Sequence, residues 1–153
     1  MTFKSIAVAL AVAALVPAAA FADTASPSDK ANAARACKAL QTSMGAASFT
    51  ATYATFGKCA SAWTRAEHQN RHEAEAACKA ESPDASRGAL QKCIQAKQQA
   101  ARTAERAAVV KAAKACKAER ASTGATAFVA KYGGKAANAF GKCVSKLAQA
   151  QNA

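Results

Sequence analysis

Residues 116–144 read CKAERASTGATAFVAKYGGKAANAFGKCV, a stretch with one cysteine near each end. The six cysteines of the chain fall into two alternating types. An Ala-Cys-Lys-Ala tetrapeptide surrounds each opening cysteine, namely Cys37, Cys78 and Cys116. A lysine precedes each closing cysteine, namely Cys59, Cys93 and Cys143. This alternation predicts three copies of one unit, at about 36–60, 77–94 and 115–144.

The first and third copies agree further, at a constant offset of 79 residues. The matching pairs include Gly45 with Gly124, Phe49 with Phe128, and Tyr53 with Tyr132. After a five-residue insertion, Phe-Gly-Lys-Cys occurs at 56–59 and again at 140–143. The middle copy lacks these aromatic residues and has a shorter interval between its cysteines, so only the outer copies share the full pattern.

The units resemble those of short exported proteins of GC-rich bacteria, which repeat Cys-Lys-Ala-Glu, Phe-x-x-x-Tyr-Gly and Asn-Ala-Phe-Gly-Lys-Cys-Val. The third copy, Cys116 to Val144, matches this pattern best, and the first copy matches in part. The family has no known activity. The resemblance therefore implies export and internal repetition and assigns no catalytic or binding residue.

Residues 1–22 have the pattern of a secretory signal peptide. Lys4 is followed by the apolar run 6–16, and Pro17 precedes the small residues required for cleavage after Ala22. The apolar run is too short to span a bilayer, and no second one follows. We therefore predict a secreted or periplasmic mature chain of residues 23–153, folded as a single α-helical domain without a transmembrane segment.

The mature sequence is rich in alanine, which has the highest intrinsic helix propensity. Ser26 precedes a proline and stands three residues before Asp29, a pattern that predicts a helix from there to about Gln41. A second helix is expected at about 55–81, ended by Ser82-Pro83-Asp84. A third and longest helix is expected to start close by and to reach Ala121, and Asn138 is expected to cap a final helix. Phe49 and Tyr53, four residues apart, predict a short turn with buried rings, the alternative being an aromatic binding platform.

Six cysteines in an exported chain with few large apolar residues indicate disulfide bonds that compensate for a small core. Fifteen connectivities are formally possible. We predict the local one, Cys37–Cys59, Cys78–Cys93 and Cys116–Cys143, in which each bond joins two successive helices. The predicted fold is all-α, with disulfide-stapled helical hairpins forming an up-down-up-down bundle of about four helices.

The chain has only two histidines, His68 and His72, and they stand four residues apart on a predicted helix. At that spacing both rings face the same side and offer two nitrogen ligands to a metal ion. Glu75 follows on the same face as a possible third ligand. Two solvent-exposed histidines without a metal are the alternative interpretation.

The chain is strongly basic, and its net charge of +12 becomes +11 when Lys4 is removed with the signal peptide. Such a charge attracts polyanions, although it also serves solubility alone. Basic side chains are spread around the third long helix, a pattern that favours diffuse polyanion contact over specific nucleic-acid readout. These residues are Lys92, Lys97, Arg102, Arg106, Lys111, Lys114, Lys117 and Arg120.

The sequence contains no recognisable catalytic motif, glycine-rich phosphate loop or cofactor signature. We therefore expect a non-enzymatic module without a cofactor, acting at an anionic cell-envelope surface by binding or as a structural component. One alternative is a metal-binding envelope protein that uses the His-x3-His pair. Another is a secreted effector or inhibitor whose partner is a protein.

Overall fold

The computed structural model describes residues 25–152, and within this range all regular secondary structure is helical. The predicted signal peptide, residues 1–22 with cleavage after Ala22, lies outside the described residues. The six helices are α1 (Pro27–Met44), α2 (Ala46–Tyr53), α3 (Phe56–Glu81), α4 (Arg87–Thr123), α5 (Ala125–Tyr132) and α6 (Ala136–Asn152). The prediction of an all-α fold is confirmed, with four long helices and two short ones.

The starts of three long helices, α1, α3 and α4, follow from local side-chain caps. The Ser26 hydroxyl accepts a hydrogen bond from the Asp29 backbone, and the Asp29 carboxylate accepts one from the Ser26 backbone, as predicted. Thr55 caps α3 by accepting from the backbone of Lys58. The prediction for Asn138 was wrong: α6 begins before it, and the Asn138 backbone donates to the carbonyl of Lys135 within the first turn.

Three disulfide bonds join the long helices in the predicted local pairing. Cys37–Cys59 connects α1 with α3, Cys78–Cys93 connects α3 with α4, and Cys116–Cys143 connects α4 with α6. Along α3 and along α4 the two bonds lie near opposite ends of the helix, so consecutive long helices run antiparallel. Helix α4 contacts each of the other three long helices and is the central one.

The short helices α2 and α5 hold their aromatic side chains in the same arrangement. Each follows a glycine with positive φ, 78° at Gly45 and 80° at Gly124, a conformation that favours glycine. The ring centroids of Phe49 and Tyr53 are 5.3 Å apart, and those of Phe128 and Tyr132 are 4.8 Å apart. Because Phe49 and Phe128 are only 2% and 1% exposed, the rings form core rather than an aromatic binding platform.

The core consists of two apolar clusters, one around each of these short helices. The larger side chains are Leu40, Phe49 and Trp63 in one cluster, and Phe128, Phe140 and Val144 in the other. Alanines and half-cystines fill the space between the helices. Within α4, buried residues occur only from Ala108 onward, so the first half of this helix packs against α3 outside both clusters.

One test of this packing compares two glycines at equivalent positions. A Cβ atom on Gly141 would lie 2.9 Å from the Thr52 carbonyl oxygen, whereas one on Gly57 would meet only the Thr55 hydroxyl at 4.0 Å. We expect Gly141→Ala to lower the free energy of unfolding by about 1–3 kcal/mol because α6 and α2 must separate. Gly57→Ala should leave it unchanged or raise it by up to about 1 kcal/mol. Urea unfolding of the oxidised proteins measures both, and equal effects would contradict this packing.

Candidate functional site

The charged side chains divide the bundle into two ends of different character. Three polar contacts between helices, Asp29–Arg71, Glu67–Arg102 and Asn70–Glu105, mark the level of the division. The neutral end comprises residues 25–33 and 67–105, with seven Lys or Arg and seven Asp or Glu. The cationic end comprises residues 34–66 and 106–152, with thirteen Lys or Arg and one Glu. The net positive charge of the described chain therefore resides at the end that contains α2 and α5.

Of the eight basic residues predicted on α4, three do not belong to the cationic end. Arg102 donates two hydrogen bonds to the carboxylate of Glu67, which is 1% exposed, so Arg102 has a structural partner. Lys97 pairs with Glu81 at 2.8 Å, and Lys92 is exposed at the neutral end. The other five do lie at the cationic end, namely Arg106, Lys111, Lys114, Lys117 and Arg120.

Other helices contribute eight further cations that the helix-by-helix interpretation of the sequence missed. A signal for them existed, because residues 34–66 and 120–153 contain no acidic residue. Only the fold shows that these two segments pack together, through the contacts of α2 with α6. The added residues are Arg35, Lys38, Lys58, Arg65, Lys131, Lys135, Lys142 and Lys146.

The one acid of the cationic end, Glu119, is fully engaged. Its Oε1 accepts from the Lys131 ammonium at 2.6 Å, and its Oε2 accepts from the Tyr132 hydroxyl at 2.7 Å. The hydrogen bond from Lys131 lowers the pKa of the Glu119 carboxyl, and the hydrogen bond to Glu119 raises the pKa of the Tyr132 phenol. Glu119 thus attaches α5 to α4 and leaves the surrounding cations uncompensated.

Two of the open clefts at this end each collect three cations. The first, of about 620 Å³, lies between α1 and α4 and is lined by Arg106, Lys111 and Lys114. Leu40 and Val110 give it an apolar floor. Among the described side chains, the lining contains no acid.

The second cleft, of about 480 Å³, lies between α2, the start of α3 and α6. Its cations are Lys58, Lys142 and Lys146. Its other polar side chains are hydroxyls and amides, which are suited to hydrogen bonding with an anion, namely Thr50, Thr52, Tyr53, Asn138, Ser145 and Gln149. Acids are again missing from the described part of the lining.

The predicted three-ligand metal set is not assembled. The Nε2 atoms of His68 and His72 are 3.4 Å apart, with His68 half-buried and His72 exposed. Glu75 instead accepts a hydrogen bond from the Lys79 ammonium at 2.6 Å, and this contact lowers the pKa of its carboxyl. Within residues 25–152, no three His, Cys, Asp or Glu side chains are grouped to hold a metal ion.

Comparison with models of protein families, with curated proteins and with solved structures gave no match. In the part of the chain that the structure describes, none of the helices combines the length and apolar character needed to cross a membrane.

Proposed function

We propose that the protein is an exported, non-enzymatic binding module whose cationic end attaches to anionic polymers of the cell envelope. The observation that carries this proposal is the segregation of charge, thirteen cations and one acid at one end against seven and seven at the other. A surface shaped by solubility alone intersperses both signs of charge and avoids a large region of one sign. Three disulfide bonds also fit an oxidising compartment outside the cytoplasm.

The cations of this end favour electrostatic attraction of anionic polymers over recognition of one particular ligand structure. Nine of its thirteen cations are lysines, whose ammonium groups act as compact point charges, whereas bidentate recognition of phosphate or carboxylate depends on arginine. At physiological salt, charges within about 8 Å act together on a ligand. The two clefts, with three cations each, bring several charges onto one anionic segment. A phosphate- or carboxylate-bearing polymer is therefore the ligand class, without specific nucleic-acid readout.

Charge reversal at matched positions tests this proposal. Lys114→Glu/Lys117→Glu alters two exposed residues of the cationic end, and Arg87→Glu/Lys92→Glu alters two exposed residues of the neutral end of the same helix. Both variants change the net charge by four. At 0.15 M salt we expect the first to weaken binding to heparin and polyphosphate by about tenfold or more and to reduce the salt dependence, because fewer counterions are released.

The neutral-end variant should change the affinity by less than about threefold, since its residues lie away from the binding surface. Circular dichroism and thiol titration show whether both variants keep the fold and the disulfide bonds. Equal losses in the two variants would mean that only the overall charge matters, and the proposed site would be wrong. If both variants keep the affinity of the parent chain for heparin and polyphosphate, the proposed site would also be wrong, and the alternative of a protein target would be favoured.

A further inference from the structure

We propose that His68 and His72 together bind a divalent transition-metal ion, zinc above all, as a two-histidine chelate on the outer side of α3. This inference goes beyond polyanion binding and concerns the other end of the bundle. It does not require the third ligand, Glu75, that the sequence suggested.

The geometry of the pair carries the inference. Two zinc–nitrogen bonds of about 2.0–2.1 Å that enclose a tetrahedral angle hold their nitrogen atoms about 3.4 Å apart. The Nε2 atoms of His68 and His72 are 3.4 Å apart, with ring centroids separated by 4.6 Å and ring planes at 64°. The two rings therefore bring their outer nitrogens to the separation that one tetrahedral ion requires. Water completes the coordination, as it does at the open position of catalytic zinc sites.

The surroundings of the pair are compatible with a bound cation. Both histidines belong to the neutral end, where acids and bases balance. The nearest cation in sequence, Arg71, forms an ion pair with Asp29 at 3.5 Å. Glu73 lies next to His72 and accepts a hydrogen bond from Gln69 at 2.7 Å, so its carboxylate stays on this part of the helix surface. Arg65, exposed and three residues before His68, is the nearest cation of the cationic end, so an approaching metal ion meets less repulsion here than at that end, where the cations are concentrated.

The composition of the chain makes the test direct, because His68 and His72 are its only histidines. Zinc chloride is titrated into the oxidised protein at pH 7.5, with both imidazole resonances followed by NMR and the stoichiometry measured by calorimetry. We expect both resonances to shift together and to saturate at one zinc per chain. Magnesium, which prefers oxygen ligands, should leave them unchanged.

A relocated histidine provides the matched control. His68→Gln and His72→Gln should each weaken zinc binding by about tenfold or more, because the second ligand of a chelate acts at a high effective concentration. His72→Gln/Glu73→His keeps two histidines but places them five residues apart, on different sides of the helix. It should bind zinc as weakly as the single variants.

Independent shifts of the two resonances, or equally tight zinc binding by the relocated variant, would overturn the chelate. Heparin binding separates a failure of the zinc proposal from a failure of the proposed function. It should be the same in the parent chain and in all three histidine variants, so either proposal can fail while the other stands.

Discussion

Replacement of both cysteines of one disulfide bond by alanine is expected to lower the free energy of unfolding by about 3 kcal/mol or more. A disulfide bond restricts the unfolded chain, and the effect grows with the length of the loop that it closes. Cys116–Cys143 spans 27 residues, Cys37–Cys59 spans 22 and Cys78–Cys93 spans 15. The corresponding estimates are about 3.6, 3.4 and 3.0 kcal/mol.

The burial of the half-cystines strengthens the expected ranking of the three disulfide bonds. The four sulfurs of the two outer bonds belong to residues with 0% exposure, whereas Cys93 of the middle bond is half-buried. Removal of an outer bond therefore also leaves a cavity in one of the two apolar clusters, which adds to the loss. All three bonds together are worth about 10 kcal/mol, as much as the whole net stability of an ordinary domain. Complete reduction should unfold the protein.

The measurement is urea unfolding of the three double-alanine variants, together with the helical circular dichroism of the parent chain with and without reductant. The alanine variants keep small apolar residues at the same positions, so the losses combine the covalent bond with the cavity left by its sulfur atoms. A helical signal that is indifferent to reductant, or a middle-bond variant that is the least stable of the three, would contradict this account.

The features that could be predicted from the sequence have local or repeated signals. Ser26 and Asp29 stand at the spacing of a capping box, and that box forms. The cysteine pairing was inferred because each Ala-Cys-Lys-Ala is followed by one Lys-Cys, and short separations favour local pairing. The match between Gly45 and Gly124 extends to nearly equal backbone angles, since both glycines stand at the start of an equivalent short helix.

Other features depend on which helices become neighbours, and no single-helix pattern contains that information. On α3 the charged residue Glu67 is buried, which no apolar periodicity of that helix predicts. Arg102, 35 residues further along the chain, is its partner. The cationic end was missed for the same reason, because its charges come from several helices and converge only after folding. The predicted site on α4 was therefore a fragment of a larger surface.

The Glu67–Arg102 pair leads to the second prediction of large effect. Arg102→Met should lower the free energy of unfolding by about 3–5 kcal/mol, because it leaves the Glu67 carboxylate buried and without its charged partner. Lys97→Met is the matched control on the same helix. This control removes the ion pair between Lys97 and Glu81, whose side chains are 37% and 59% exposed, respectively. Exposed ion pairs of this kind contribute at most about 1 kcal/mol to the free energy of unfolding.

A double variant separates the pair's role in folding from a role in binding. Glu67→Gln/Arg102→Met removes both charges, so urea unfolding should show that it recovers much of the loss seen with Arg102→Met alone. If Arg102 is structural, this folded double variant should bind heparin within about threefold of the parent chain, since Arg102 lies outside the cationic end. A stable Arg102→Met chain with weakened heparin binding would show instead that Arg102 belongs to the polyanion surface, and the division of the bundle into two ends would have to be redrawn.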